Sequence, residues 1–182
     1  MPASPPPIVP VRRRPLRPEV IASHLDRLYR AARALCGSQH EAEDLVQDTC
    51  VQLLRRGREI HGADELPYLL GALRNTHIAR RRTAARRPRT VDLGDAPEHE
   101  LADRHPAADT VDQVGAREVM RWIAALPEET RMAVIAVDVA GLSRADAARI
   151  LGVGERRVAE RLARGRAALA ARLAPDRTLE LR

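Results

Sequence analysis

Between Ser143 and Leu173 the residue types and their spacing suit the reading of DNA. Ser143 with Asp146 three residues on resembles a capping box, opening a short helix through Ala147, Ala148, Ile150 and Leu151. Gly152-Val153-Gly154 breaks that helix, and a longer one follows in which Val158, Leu162, Gly165, Leu169 and Leu173 are expected on one inward stripe. Arg157, Glu160, Arg161, Arg164 and Ala168 are expected on the opposite one. A short helix, a three-residue glycine turn and a longer helix have the spacing of a helix-turn-helix, whose steep interhelical angle frees the second helix to enter a major groove. A guanidinium near the start of such a helix makes a bidentate contact with guanine, and later ones reach phosphates. Arg156, Arg157 and Glu160 are therefore the expected base readers, and Arg161 and Arg164 the backbone anchors. The competing explanation is a solvated arginine-rich face, which the combination of cap, glycine turn and apolar stripe disfavours.

Other chemistries find little support. No Ser-His-Asp set, glycine-rich phosphate loop or convergent carboxylate pair stands out, so no enzyme is expected. Cys36 and His40, with His24 and Cys50 elsewhere, could be assembled into a zinc site, but no CxxC or HxxxH pair exists, and neither metal nor cofactor is expected. Two cysteines are too few for a disulfide scaffold and point to a reducing cytoplasm. Nothing approaches a membrane-spanning run, so no membrane contact is expected.

The formal charge of +6 favours a polyanionic partner. Every basic residue is arginine, however, Phe is absent and Ala is abundant, a bias that a GC-rich genome also produces. The positions of the arginines therefore carry more information than their total. Aromatic residues make up only 2% of the chain, which leaves Leu, Val, Ile and Ala to build the cores and favours packed helices over sheets.

These functional residues need a scaffold, and the periodicity supplies one. Residues 1–17 read as a disordered Pro/Arg-rich arm. From Pro18, Ile21, Leu25, Leu28, Ala32 and Leu35 recur at helical spacing until Gly37, so one helix is expected there. A second runs from about Glu41 to Arg56, with Leu45, Val46, Cys50, Leu53 and Leu54 inward and Asp44, Gln47, Asp48 and Val51 on another face. A third begins near Leu66-Pro67 and ends in Arg80, Arg81 and Arg82. Residues 18–82 thus form a helical bundle, 83–113 a flexible linker rich in Pro and acids, 114–174 a second helical domain and 175–182 a tail. Within the second domain a helix starts at Pro127, favoured in a first turn, and stops at Gly141.

With these pieces in order, the chain resembles the extracytoplasmic-function (ECF, group IV) sigma factors of bacterial RNA polymerase. Ala42-Glu43-Asp44-Leu45-Val46-Gln47-Asp48 is similar to the family's A-E-D-L-V-Q-E, and Tyr68-Leu69 with Leu73-Arg74-Asn75 and Ile78 resembles its W-L-x-x-I-x-x-N-x-x-I-D-x-x-R helix. Leu126-Pro127 with Arg131 resembles L-P-x-x-x-R, Gly141-Leu142-Ser143 onward resembles G-L-S-x-x-E-I-A-x-x-L-G-V, and Val158, Arg161-Leu162, Arg164 and Arg166 match V-K-x-R-L-x-R-A-R. The resemblance implies an all-α fold of two small helical domains, a sigma region 2 bundle of three to four helices and a sigma region 4 helix-turn-helix, joined by a flexible linker.

It also implies partners: core RNA polymerase, promoter DNA and an anti-sigma factor. Asp44, Gln47 and Asp48 would face the clamp helices of the β′ subunit, and the C-terminal domain the β flap. Arg74, Asn75, Arg80, Arg81 and Arg82 would lie along the minus-ten element, with the loop from Arg58 to Asp64 holding a base flipped from the non-template strand. Four departures stand out. Ala79 replaces the usual Asp, Tyr68 the usual Trp, Cys50 the usual Phe, and Ala159-Glu160 stands where Lys and a small residue are common. Scarce aromatics forgo the roughly 1–3 kcal/mol per base that stacking rings supply, which implies stringent promoters. The alternative from another class is a stand-alone DNA-binding regulator whose N-terminal bundle dimerises or binds a protein.

Overall fold

A computed structural model describes residues 13–55, 59–61, 65–86 and 111–173. The expected helix from Pro18 to Leu35 is two helices, α1 (Pro18–Ser23) and α2 (Leu25–Cys36), parted at His24, whose φ of −111° and ψ of 4° lie outside helical geometry. The apolar period continues across the break, which is why sequence periodicity alone does not reveal it. Helix α2 ends at Gly37 in the left-handed conformation (φ 78°), where the Gly37 amide donates to the Arg33 carbonyl at 2.8 Å. Glycine is required there twice over, because a Cβ would also lie 3.1 Å from that of Ala124.

Helix α3 (Gln39–Arg55) buries Ala42, Leu45, Val46, Thr49 and Leu53, and the Thr49 hydroxyl is satisfied by the Leu45 carbonyl at 2.7 Å. Cys50 is half-buried against the core, but Leu54, expected inside, is 48% exposed and joins Val51 on the outer face. Helix α4 (Glu65–Arg86) runs four residues beyond the expected Arg82 and, at about 1.5 Å per residue, forms a rod of roughly 33 Å.

Part of the arm expected to be disordered has structure. Strand β1 (Arg13–Pro15) pairs antiparallel with β2 (Glu59–His61), in the register Arg13 with His61 and Pro15 with Glu59. A three-residue strand has too short a pattern to be read from sequence. Residues 1–12, most of the expected linker and the 175–182 tail lie outside the described residues, as do 58 and 62–64 of the loop expected to capture a base.

The C-terminal half comprises α5 (Val111–Ala124), α6 (Glu128–Val134), α7 (Arg144–Leu151) and α8 (Glu155–Leu173). The helix expected from Pro127 to Gly141 has that extent but widens into a π turn at Ile135–Val139, where the Ala140 amide reaches the Ile135 carbonyl at 2.9 Å. The N-terminal bundle and the C-terminal domain also pack on each other. Helix α2 touches α5 and the π turn as well as α3 and α4, while α4 touches α7. Ala31, Ala32 and Ala34 are fully buried on α2, and one apolar core runs through both halves. Small side chains let helices approach closely, so an alanine-rich α2 serves as a shared wall.

Candidate nucleic-acid and polymerase interfaces

The helix-turn-helix is built as its residues predict. Ser143 is the N-cap of α7, its hydroxyl accepting from the Asp146 amide at 3.0 Å and donating to the Asp146 carboxylate at 2.7 Å. Gly152 closes α7 in the left-handed conformation (φ 66°), and the Val153 amide then returns to the Ala148 carbonyl at 3.1 Å. Helix α8 starts one residue after Gly154, with Val158 and Leu162 buried. Gly165 sits where α8 crosses α6: a Cβ there would lie 2.5 Å from Cγ2 of Val134 and 3.0 Å from Cγ2 of Thr130.

The two faces of α8 divide differently from the expected stripes at two positions, one of them Leu173, which was expected inward and is 61% exposed at the end of the helix. Arg157 and Arg164 are exposed and make no ion pair with other described residues. Arg156 and Glu160, also exposed, bond to each other at 3.1 Å across one helical turn. Arg161, expected on the outward stripe, is buried at 7% exposure, and its Nη2 donates to Glu129 of α6 at 2.6 Å. Three residues after Val158, it lies about 60° around the helix from that residue, close enough to the inward stripe for an acid on a neighbouring helix to draw it in. Arg166 does the same at the surface, holding both carboxylate oxygens of Asp138 at 3.1 and 2.7 Å.

On the N-terminal bundle the two sets of expected contacts are neighbours. Arg80 of α4 lies 3.2 Å from Asp48 and 3.8 Å from Asp44, so an expected DNA contact neutralises two expected polymerase contacts. Gln47 is exposed on the same helix as those acids. Arg82 and Asn75 are exposed and Arg74 is half-buried. Asn75, Tyr68 and Ala79 line one open groove between α3 and α4, of about 430 Å³, together with Thr49 and Gln52. Two of the sequence departures thus fall in a single groove beside Asn75.

Comparison with known proteins decides the family. Residues 20–87 match Sigma-70 region 2 and residues 116–169 match Sigma-70 region 4. The ECF RNA polymerase sigma factor SigM of Mycobacterium tuberculosis is 37% identical over 154 residues, covering 84% of this chain and 74% of that protein. The chain belongs to the ECF sigma factors. SigE of Mycolicibacterium smegmatis is 32% identical over 155 residues, 81% of this sigma factor and 58% of SigE. Two solved structures share the fold. The sigma factor RpoE of Bartonella quintana, crystallised with the anti-sigma factor NepR, has a TM-score of 0.64 at 24% identity, covering 87% of this chain and 94% of its own. CnrH with the cytosolic domain of CnrY has a TM-score of 0.60 at 22% identity, covering 87% of each chain.

Sigma factors are regulatory, non-catalytic proteins that direct promoter-specific initiation by RNA polymerase. No helix among the described residues of this one is long and apolar enough to cross a membrane. Its two family regions meet at a polar seam that sequence reasoning missed. Arg131, from the L-P-x-x-x-R match, sends Nη1 to the Ala124 carbonyl at 2.6 Å in its own domain and to the Leu35 carbonyl at 3.4 Å in the other. Arg81 of α4, an expected minus-ten contact, lies 3.5 Å from Glu128 of α6. On the region 2 side of the seam Cys36 faces His77 at 4.0 Å, with burial first and Glu41 second pushing its thiol up to about 11.

Proposed function

We propose that this sigma factor reads promoters at two ends, with α8 on the minus-thirty-five element and α4 on the minus-ten element, while α3 holds core polymerase. The observation that carries the reading is the division of α8. Its capped, glycine-hinged geometry leaves Arg157 and Arg164 exposed, with no ion-pair partner among the described residues, on the side away from the Val158 and Leu162 stripe. Arg157, with Arg156 and Glu160 near the start of α8, reads base edges; a glutamate there accepts from cytosine and specifies an unusual element. Arg164 anchors a phosphate. Arg161, committed to Glu129, positions the reading helix and leaves the phosphate set.

Arg74, Asn75, Arg80, Arg81 and Arg82 follow the minus-ten strand along α4, with the loop 58–64 receiving a flipped base. Asp44, Gln47 and Asp48 meet the β′ clamp helices, and the C-terminal domain meets the β flap. Polymerase binding then has a local consequence: as clamp groups engage Asp44 and Asp48, Arg80 is released toward DNA. An anti-sigma factor, of the kind bound to RpoE in its solved structure, completes the set of partners.

Reconstitution tests this directly. Core RNA polymerase with the chain is expected to bind and transcribe genomic promoters that core enzyme alone ignores. If core enzyme neither binds the chain nor gains a promoter from it, the reading fails.

A further inference from the structure

The seam between the two regions holds a histidine in an unusual position. A cavity of about 580 Å³ is lined by Leu35, Cys36 and Glu41 from one side of the bundle, His77 and Arg81 from α4, and Arg131 from α6. Nδ1 of His77 faces Cys36 Sγ, while its Nε2 is shielded from solvent and has no hydrogen-bond partner among the described residues. Nε of Arg131 is likewise buried and unpartnered. The clasp that closes this seam is Arg131 on the Leu35 carbonyl, assisted by Arg81 beside Glu128.

A neutral imidazole fits such a place with one ring nitrogen left bare. An imidazolium does not, because its second N–H would be buried without an acceptor and its charge would stand among cations. Arg131 faces it from α6 and Arg80 and Arg81 from α4; Glu128 from α6 and Glu41 from α3 oppose them, and the Cys36 thiol on α2 is uncharged at neutral pH.

We propose that this seam is a pH-sensitive latch: with His77 neutral, region 4 lies against region 2, and protonation of His77 parts them. The sign follows from linkage. Burial first, and then Arg131 and Arg81, hold His77 below its ordinary value of 6.5 in the closed form, whereas in the open form the ring is in water. The open form therefore binds the proton more tightly. His77's contribution to closure is complete above the ordinary histidine value and is lost as pH falls through it toward the lower value of the closed form.

The latch stands on the seam alone, but its consequence for transcription rests on the two-ended promoter reading. Elements 25 base pairs apart are separated by about 85 Å of B-form DNA at about 3.4 Å per pair. A compact chain of this length has a radius of gyration of only about 16 Å. The closed form cannot occupy both elements, and it holds Arg81 on Glu128. Acidification thus converts a promoter-silent form into one able to span.

Small-angle scattering of the full chain, with far-ultraviolet circular dichroism to certify helicity, tests the latch without polymerase or DNA. Between about pH 8 and about pH 5.5 the wild-type radius of gyration is expected to rise at constant helicity, and alkylation of Cys36 relative to Cys50 to increase severalfold. His77→Ala is expected to stay closed at both pH values, and His77→Lys to be open at the higher one. Should His77→Ala fail to fold, His77→Gln takes its place with the same expectation. The proposal is overturned if the wild type keeps one size across this range. It is equally overturned if His77→Ala opens with an unchanged midpoint, since a group other than His77 would then be responding. Because neither readout involves transcription, failure of the latch and failure of the promoter reading remain distinguishable.

Discussion

Helices α4 and α8 carry similar arginine-rich ends but hold them in opposite ways. On α8 the outward arginines Arg157 and Arg164 have no ion-pair partner among the described residues and the inward Arg161 is locked to Glu129. On α4 the exposed Arg81 faces Glu128 and the half-buried Arg80 lies on Asp44 and Asp48. One helix is ready for a groove as it stands, whereas the other must first lose internal partners. Charge along a sequence therefore does not measure readiness to bind DNA; the acids brought within a few ångströms by the fold decide it.

Substitutions can break or sharpen that contrast, and the largest effect is expected where α8 is seated. Gly165→Val forces a side chain into Val134 and Thr130, and should lower the stability of the C-terminal domain by about 1–3 kcal/mol, read as a fall in Tm with loss of promoter binding. Arg161→Ala should also lower Tm, by a loss of about 1 kcal/mol for a charge-assisted bond whose Glu129 end is open to solvent, yet leave the salt slope of DNA binding unchanged. A flattened slope in that variant would return Arg161 to the phosphate-contacting set.

Arg157→Ala should keep Tm and relax preference at one base pair, worth about 1–3 kcal/mol of discrimination in competition binding. Arg164→Ala should weaken binding to all sequences alike and flatten the salt slope by about one unit. The smallest effect is expected from Arg80→Ala. Exposed ion pairs contribute at most about 1 kcal/mol, so stability should hold, while core polymerase binds undiminished and minus-ten opening, read by permanganate reactivity, declines.

The helix-turn-helix was legible in the sequence because each of its determinants is local. Ser143 caps within three residues, Gly152 ends a helix at its own φ, and the α8 stripe repeats every turn. What was not legible depends on partners far along the chain. Arg131 reaches a carbonyl 96 residues away, and the position of Arg161 is set by an acid 32 residues upstream. His77 carries no signal of its own in the sequence, since nothing in its neighbourhood announces that a second domain will cover it. Leu54 failed for a related reason: the period places it inward, but none of the described elements covers that flank of α3 and it is left exposed. The packing of the two regions was missed because a proline- and acid-rich linker sequence specifies neither separation nor contact.

The most direct test of the account is promoter selection by core RNA polymerase carrying the chain, using a template library randomised across the minus-thirty-five element. The account predicts selected transcription with a defined consensus, a changed consensus for Arg157→Ala and the wild-type consensus for Arg161→Ala at temperatures where that variant is folded. Selection that is identical for wild type and Arg157→Ala, or altered by Arg161→Ala alone, would contradict it.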